Sequence, residues 1–461
     1  MKQEVSKTDN ISMSFCIGVL CFLLLTITVT VFTRTVLVKK LGMENAFTAF
    51  VFADKEFLDN GEEAASANAN TINWAILYPF SENSSSNGEK NDDTPPFLLS
   101  LLDRYERTVE SIENKLNTYS SSFLIGYQKL TEFAKAYDEV IGWNFASFGE
   151  YNGIVELPDD YLTSYMEECD EREQIQSLYS FNAFLNRMDI PLVYVQAPYK
   201  ISAYDDATIS GTADFSNQNA DKLLNGLRKQ GILTYDIRET IHDEKLSNHS
   251  LFYRTDHHWL TTTGLWASQQ VLSFLDEKLD FHADVRRLDA DKFRQDLYPD
   301  WFLGSQGKKV TLARTEPDDF VLLYPKYDTK FHYAVPAEDI DVVGDYSIVY
   351  DMRQIETKNL YGLNPYGGCN YGDQPLIRIE NRKDSDDRKI LIIHDSFCDC
   401  VISCLALCEK EVDSLDIRHF TGSVESYISE NVPDVVIVMY NAGGVSGEID
   451  WDSHTDMFDF R

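Results

Sequence analysis

Basic charge is what this sequence has least of: 41 Lys and Arg stand against 75 Asp and Glu, a formal net charge of −34. No long Lys/Arg block is present to neutralise the phosphates of a nucleic acid, so nucleic-acid binding is disfavoured. The same acidity repels polyanions at long range and favours neutral or sparsely charged substrates. Internal repeats are missing as well. Cysteine is sparse, at 8 residues, and its spacing does not read as a disulfide framework. Cys16 and Cys21 fall within an apolar run, while Cys400, Cys404 and Cys408 share one face of a predicted helix, a spacing typical of buried core. A metal site built from Cys398, Cys400, Cys404 and Cys408 would need ligands along a helix, whereas structural zinc ligands pair on turns.

What is present begins with an apolar run, Ile11 to Thr33, without a charged residue. As a helix it covers about 35 Å at ~1.5 Å per residue, enough to span a bilayer. No small-x-small cleavage site follows it, and Leu20 precedes Cys21 where lipid attachment requires a small residue. An uncleaved single-pass anchor over 11–38 is therefore expected. Lys2 and Lys7 precede the span while Arg34, Lys39 and Lys40 follow it, so positive charge does not choose the orientation. The short N-terminal tail has the form of a signal anchor, which puts residues 1–10 in the cytoplasm and the large C-terminal part outside the cell membrane.

Residues 39–97 read as a juxtamembrane stretch and linker, ending in the polar run Ser81 to Pro96. Leu98, Leu102, Tyr105, Val109, Ile112, Leu116 and Tyr119 then alternate spacings of four and three, which predicts an amphipathic helix within 98–142. It either packs on the domain or self-associates as a coiled coil. From residue 143 onward, apolar strand-like runs alternate with helical patterns. The strands are Pro191 to Gln196, Ile232 to Ile237, Ile390 to His394, Val412 to Ile417 and Val435 to Tyr440. The helices are Glu171 to Arg187, Asn219 to Lys229, Thr261 to Leu279 and Cys400 to Glu409. Continuous β-branched runs are what parallel strands buried on both faces require. The expected fold is a doubly wound α/β/α sandwich with a mostly parallel sheet and a ligand crevice at the carboxyl ends of its strands. Residues 284–383, irregular and rich in Tyr, Asp and Gly, read as an insertion that builds one wall of that crevice.

Two segments can carry chemistry. In Ile390 to Phe397 (ILIIHDSF) an apolar strand ends at Asp395-Ser396 and a helix follows. The Ser396 side chain emerges at the strand's carboxyl end, with its own N–H at the positive end of the helix, where an oxyanion is stabilised. The same pattern also suits a plain helix N-cap, with Ser396 capping and Asp399 completing a box. In Tyr253 to Trp259 (YRTDHHW), Asp256 and His258 stand two apart. A serine hydroxyl needs a base, and the base needs an acidic partner to hold its tautomer; a D-x-H turn supplies both. Structural histidines with Asp256 capping the next helix, or a metal held by Asp256, His257 and His258, remain open on these residues alone.

The tetrad Asp256-His257-His258-Trp259, with PLVYVQAPYK after the first strand, TTTGLWA, FLGSQGKKV, HDSF, LDIRHF and VIVMYN in the same order, resembles the DHHW family. More remotely it is similar to the SGNH-type domains of alginate O-acetyltransferases. The resemblance covers 143–461 and implies an SGNH-like fold in which the Asp/His pair precedes the serine. It makes Ser396 the nucleophile, His258 the base and Asp256 its orienter, and it agrees with the N-inside orientation. Asn441 then stands where such folds present an oxyanion donor, and Arg418 where it can contact a substrate oxygen or carboxylate. His257, Trp259 and Asp395 complete the candidate oxyanion or substrate-binding set. The pattern departs from the usual serine block at His394, which replaces a glycine, and at Phe397 to Cys400.

The implied function is a membrane-anchored, extracytoplasmic O-acyl (acetyl) transferase or esterase acting on a cell-surface polysaccharide or other acylated glycan, with no metal and no cofactor. The resemblance also implies a membrane acyl-donor protein as partner. The alternatives are a non-catalytic glycan binder that stacks sugars on the tyrosines between Tyr324 and Tyr371, and an assembly scaffold working through the heptad helix.

Overall fold

The computed structural model describes residues 150–151, 153–204, 214–383, 387–445 and 457–461. The chain divides into two compact units, Met1–Phe133 and Ala134–Arg461, and all described residues lie in the second. The expected tail at 1–10, anchor at 11–38, linker at 39–97 and amphipathic helix within 98–142 fall outside the described residues. Among those that are described, no helix is long and apolar enough to cross a membrane.

In chain order, an antiparallel sheet of β1 (Glu150–Tyr151), β2 (Ile154–Leu157) and β3 (Tyr161–Thr163) leads into α1 (Arg172–Asn186), β4 (Leu192–Ala197), α2 (Ser216–Lys229) and β5 (Leu233–Asp236). The short α3 (Ile237–Asp243) and long α4 (Thr261–Leu279) follow. A hairpin of β6 (Phe293–Phe302) and β7 (Asp318–Pro325) carries α5 (Ser305–Val310) between its strands. Next come β8 (Phe331–Val335), β9 (Ile340–Gly344), β10 (Leu376–Asn381) and β11 (Lys389–His394). A 3-10 turn at Ser396–Cys400, α6 (Ile402–Leu405), β12 (Glu411–Leu415), α7 (Val424–Glu430) and β13 (Val435–Asn441) complete the described unit.

Eight strands form one sheet in the order β5-β4-β13-β11-β12-β10-β8-β9. The five from β5 to β12 are parallel, and they are the five runs expected from the sequence. Their near-continuous apolar character has a plain cause: successive residues point to opposite faces, and both faces are covered. Val193, Val195, Ile390, Ile392, Val435 and Ile437 pack with α3 and α4 on one side. Tyr194, Leu391, Ile393, Val436 and Val438 pack with α1, α2 and α7 on the other. The sheet is thus mixed rather than simply parallel, because β10, β8 and β9 extend one edge antiparallel. These three come from the segment read as an insertion, so part of 284–383 belongs to the central sheet. In β8, Phe331, Tyr333 and Val335 are buried while His332 and Ala334 are half-exposed, the alternation of a strand with one wet face.

The helix expected over Cys400 to Glu409 is much shorter. The carbonyl of Phe397, in the first turn after the strand, accepts from the Trp259 indole at 2.8 Å and the Tyr366 hydroxyl at 3.0 Å. Val401 N–H instead bonds to the Cys398 carbonyl at 2.7 Å, an i+3 bond, so the chain tightens into a 3-10 turn before the single turn of α6.

Candidate active site

β11 delivers Asp395 and Ser396 to the carboxyl edge of the sheet, and the capping role there falls to the aspartate. Asp395 Oδ1 accepts the Phe397 N–H at 3.0 Å, while its Oδ2 accepts the Asn441 backbone N–H at 2.8 Å and the Asn441 side-chain amide at 2.7 Å. Ser396 is therefore not the N-cap, and its hydroxyl is released for other work. Nor does Asp399 close a capping box: its Oδ1 is buried without a hydrogen-bond partner. Burial raises the Asp395 pKa, against the hydrogen bonds from Asn441 and Phe397 and the charge of Arg418. Ser396 itself stays partly exposed amid buried neighbours.

The released hydroxyl meets the D-x-H segment across 138 residues of chain. Ser396 Oγ lies 2.7 Å from His258 Nε2, and His258 Nδ1 lies 2.5 Å from Asp256 Oδ1. A carboxylate only accepts, so Nδ1 carries the ring proton and the Nε2 lone pair faces the serine O–H. The same Oδ1 accepts the His258 backbone N–H at 3.0 Å, and Oδ2 accepts the Ser305 N–H at 2.6 Å. Burial alone raises the Asp256 pKa, but the His257 and His258 imidazoles and the hydrogen bonds from His258 outweigh it. The carboxyl is held well below its ordinary range. The Tyr366 ring stacks on the His258 imidazole with centroids 4.1 Å apart and fixes its plane.

The loop itself is clamped from several sides. The buried Asp318 carboxylate of β7 accepts the backbone N–H groups of Arg254 at 3.0 Å and Thr255 at 2.8 Å, and the Thr255 hydroxyl at 2.6 Å. Gly304 N–H donates to Thr255 Oγ1 at 2.9 Å, and Gly307 N–H donates to the Thr255 carbonyl at 2.7 Å. Both glycines of FLGSQGKKV are demanded by close approach: a Cβ on Gly304 lands 2.5 Å from Asp256 Oδ2, and one on Gly307 lands 2.7 Å from Thr255 Cβ. The motif stands out in the sequence, but its purpose becomes visible only in these contacts. Sequence reasoning missed Ser305, Asp318 and Tyr366 altogether, since nothing local links them to the D-x-H turn.

Each remaining candidate has a place. His257 is half-buried, with Nδ1 3.0 Å from Ser305 Oγ and its ring 3.8 Å from that of His258. Burial and the adjacent His258 keep its pKa below the ordinary value. Trp259 is fully buried and braces the serine turn through the Phe397 carbonyl. Asn441 spends its carbonyl oxygen on Gly443 N–H at 2.7 Å and one amide hydrogen on Asp395, which leaves one amide hydrogen without a partner among the described residues. Arg418 is held by Asp416, with Nε donating to Oδ1 at 2.8 Å, and by Asp373 at 2.7 Å.

Among the described residues, two carboxylate and histidine groupings bring potential metal-ligand atoms within 4.8 Å of one another: Asp256, His257 and His258, and Asp373, Asp416 and His419. In the first, both Asp256 oxygens already accept hydrogens from His258 and Ser305. In the second, the Arg418 guanidinium supplies the positive charge. Cys398, Cys400, Cys404 and Cys408 are buried thiols, and burial pushes that of Cys404 up to about 11. In the tyrosine-rich segment Tyr333, Tyr346, Tyr350 and Tyr366 are buried in the core, while Tyr324, Tyr327, Tyr361 and Tyr371 are half-exposed.

Residues 158–296 match a family model described as an SGNH hydrolase-like domain of the acetyltransferase AlgX. That stretch contains Asp256 and His258, and Ser396 lies beyond it. No curated protein matches the sequence. Among solved structures, Bacillus cereus PatB1 bearing a sulfonyl adduct aligns over 67% of this chain and 98% of its own, at 18% identity and a TM-score of 0.53. A DHHW family protein from Eubacterium siraeum DSM 15702 aligns over 65% of this chain and 94% of its own, at 16% identity and a TM-score of 0.51. At such identities the likeness is one of fold.

Proposed function

For a chain with an SGNH hydrolase-like domain, similar in fold to a DHHW family protein, we propose an O-acyl (acetyl) transferase or esterase that acts on a cell-surface polysaccharide. Ser396, His258 and Asp256 carry the reaction. The observation behind the reading is the unbroken chain of contacts, 2.7 Å from Ser396 Oγ to His258 Nε2 and 2.5 Å from His258 Nδ1 to Asp256 Oδ1. The description of the matched family model as an acetyltransferase supports acetyl as the group transferred.

In this reading Ser396 Oγ attacks the acyl carbonyl as its proton passes to His258 Nε2. Asp256, kept ionised by its depressed pKa, stabilises the imidazolium without taking its proton. The tetrahedral oxyanion is met by the Ser396 N–H at the start of the 3-10 turn, with the spare Asn441 amide hydrogen as a second donor. Collapse expels the alcohol, which takes the proton from Nε2 and leaves an acyl-serine. A sugar hydroxyl or water, deprotonated by the same nitrogen, then attacks the acyl-serine and restores the free hydroxyl. The expected apolar anchor sets this domain on the outer face of the cell membrane, beside such a polymer.

The test is turnover of p-nitrophenyl acetate by the detergent-solubilised full chain, comparing wild type with Ser396→Ala and His258→Ala at equal folded concentration. Loss of turnover in both variants is expected. A folded wild type that turns over neither this ester nor an acetylated oligosaccharide refutes the serine mechanism.

A further inference from the structure

One buried cation near the site has no part in the mechanism above. Lys200 closes the PLVYVQAPYK segment after β4, and only 1% of its surface is exposed. A buried ammonium is costly unless its hydrogens are met, and these are met lavishly. Nζ donates to the carbonyls of Leu162 at 2.5 Å and Arg254 at 3.2 Å, to Gln306 Oε1 at 3.0 Å, and to the Asp256 carbonyl. These acceptors come from β3, the D-x-H loop and α5. Among the described residues no carboxylate touches the ammonium; three of its four acceptors are backbone carbonyls, and two of these flank Thr255 in the loop that carries Asp256 and His258.

We propose that Lys200 is a positioning residue, whose ammonium fixes the carbonyls of Arg254 and Asp256 from beneath and so aligns Asp256 and His258 on Ser396. This role rests on the serine reading above. It complements Asp318: the carboxylate takes the loop's N–H groups, and the lysine takes its carbonyls.

The arrangement has a pH consequence. Four acceptors share three ammonium hydrogens, and a neutral amine has only two, with a lone pair turned toward carbonyl oxygens. Burial pushes the Lys200 pKa down to about 7, against the charges of Asp256 and Asp318. His257 and Tyr161, whose ring centroid lies 6.0 Å from Nζ, are titratable groups beside it, and Arg254 meets it through its backbone carbonyl. The lowered value means that the clamp is complete in acid and released as pH rises past neutrality. Activity then falls on the alkaline side as Lys200 loses its proton.

The experiment measures p-nitrophenyl acetate turnover and the rate of Ser396 sulfonylation by a sulfonyl fluoride, from pH 5 to 10, on solubilised full-length wild type, Lys200→Arg and Lys200→Met. Wild type is expected to lose rate on the alkaline side. Lys200→Arg, which keeps its charge throughout, should lack that alkaline fall. Lys200→Met should lose about 10²-fold in kcat at and below pH 7 with little change in KM, the size of effect that loss of alignment produces, and the gap to wild type should narrow as pH rises and the wild-type clamp is released. Wild-type rates that hold level from pH 7 to 10 overturn the proposal, whether or not the variants fold. So does a folded Lys200→Met with wild-type kcat at and below pH 7, or an alkaline fall that Lys200→Arg shares. Absence of both turnover and sulfonylation in folded wild type refutes the serine reading, and this role with it.

Discussion

Adding one methyl group at Gly304 tests whether the Asp256 loop needs the close approach that α5 makes to it. Gly304 has φ −70° and ψ 177°, a conformation open to any residue, so Gly304→Ala introduces no backbone strain. Its effect is purely steric. The new Cβ lands 2.6 Å from Asp256 Cα and 2.5 Å from Asp256 Oδ2, where 3.4 Å is the near limit of ordinary contact. Asp256 Cβ is nearer still, so opening 2.6 to 3.4 Å at Cα sets the least movement of one backbone against the other, about 0.8 Å. Neither side yields easily, since Asp318, Gly307 and Ser305 hold the loop to β7 and α5. A displacement of that size lengthens the 2.5 Å bond from Asp256 to His258 to the edge of hydrogen-bond range. The expected result is a loss of kcat/KM on the order of 10²-fold, with a stability loss of about 1–3 kcal/mol from overpacking. Ester turnover and urea unfolding on the same preparation read both quantities. A Gly304→Ala protein with wild-type turnover refutes the argument, because the methyl group then fits without disturbing Asp256.

Two further outcomes follow from the same contacts. Asp256→Asn offers one acceptor oxygen in place of two, so either His258 Nδ1–H or Ser305 N–H loses its partner; kcat should fall on the order of 10³–10⁴-fold, as a wrongly held imidazole tautomer requires. Because the Asp256 pKa is lowered on folding, its ionised form adds stability in full above the unfolded value of about 4, and this is lost as pH falls through the folded value. Asp256→Asn should therefore flatten the acid limb of a stability-against-pH curve, and an unchanged acid limb in the variant contradicts the assignment. Asp395→Asn faces three donors, from Phe397 and Asn441, with a single oxygen. It should cost about 1–3 kcal/mol in chemical unfolding, and equal midpoints for variant and wild type count against the capping role.

The sequence by itself determined the layered α/β frame and the ends of its parallel strands. PLVYVQ, ILIIH and VVIVMY are continuous apolar runs because both faces of each strand are covered, and that demand is written locally. The place of Ser396 was legible for the same reason, since a buried strand that stops at Asp395 has to present its next residue at the carboxyl edge. Other features were not local. β8, β9 and β10 looked irregular because one face or an edge of each is wet, which dilutes the apolar signal. The choice between a capping serine and a free one depended on Asp395 taking the Phe397 N–H. That Asp256 and His258 are held against Ser396 depended on contacts from β7 and α5. Lys200, Asp318 and Gly304 are single residues far apart in the chain, and no periodicity marks them. A repeating pattern can announce a buried face, but a hydrogen bond between distant segments exists only once the sheet has brought them together. The tertiary structure alone decided which polar groups meet.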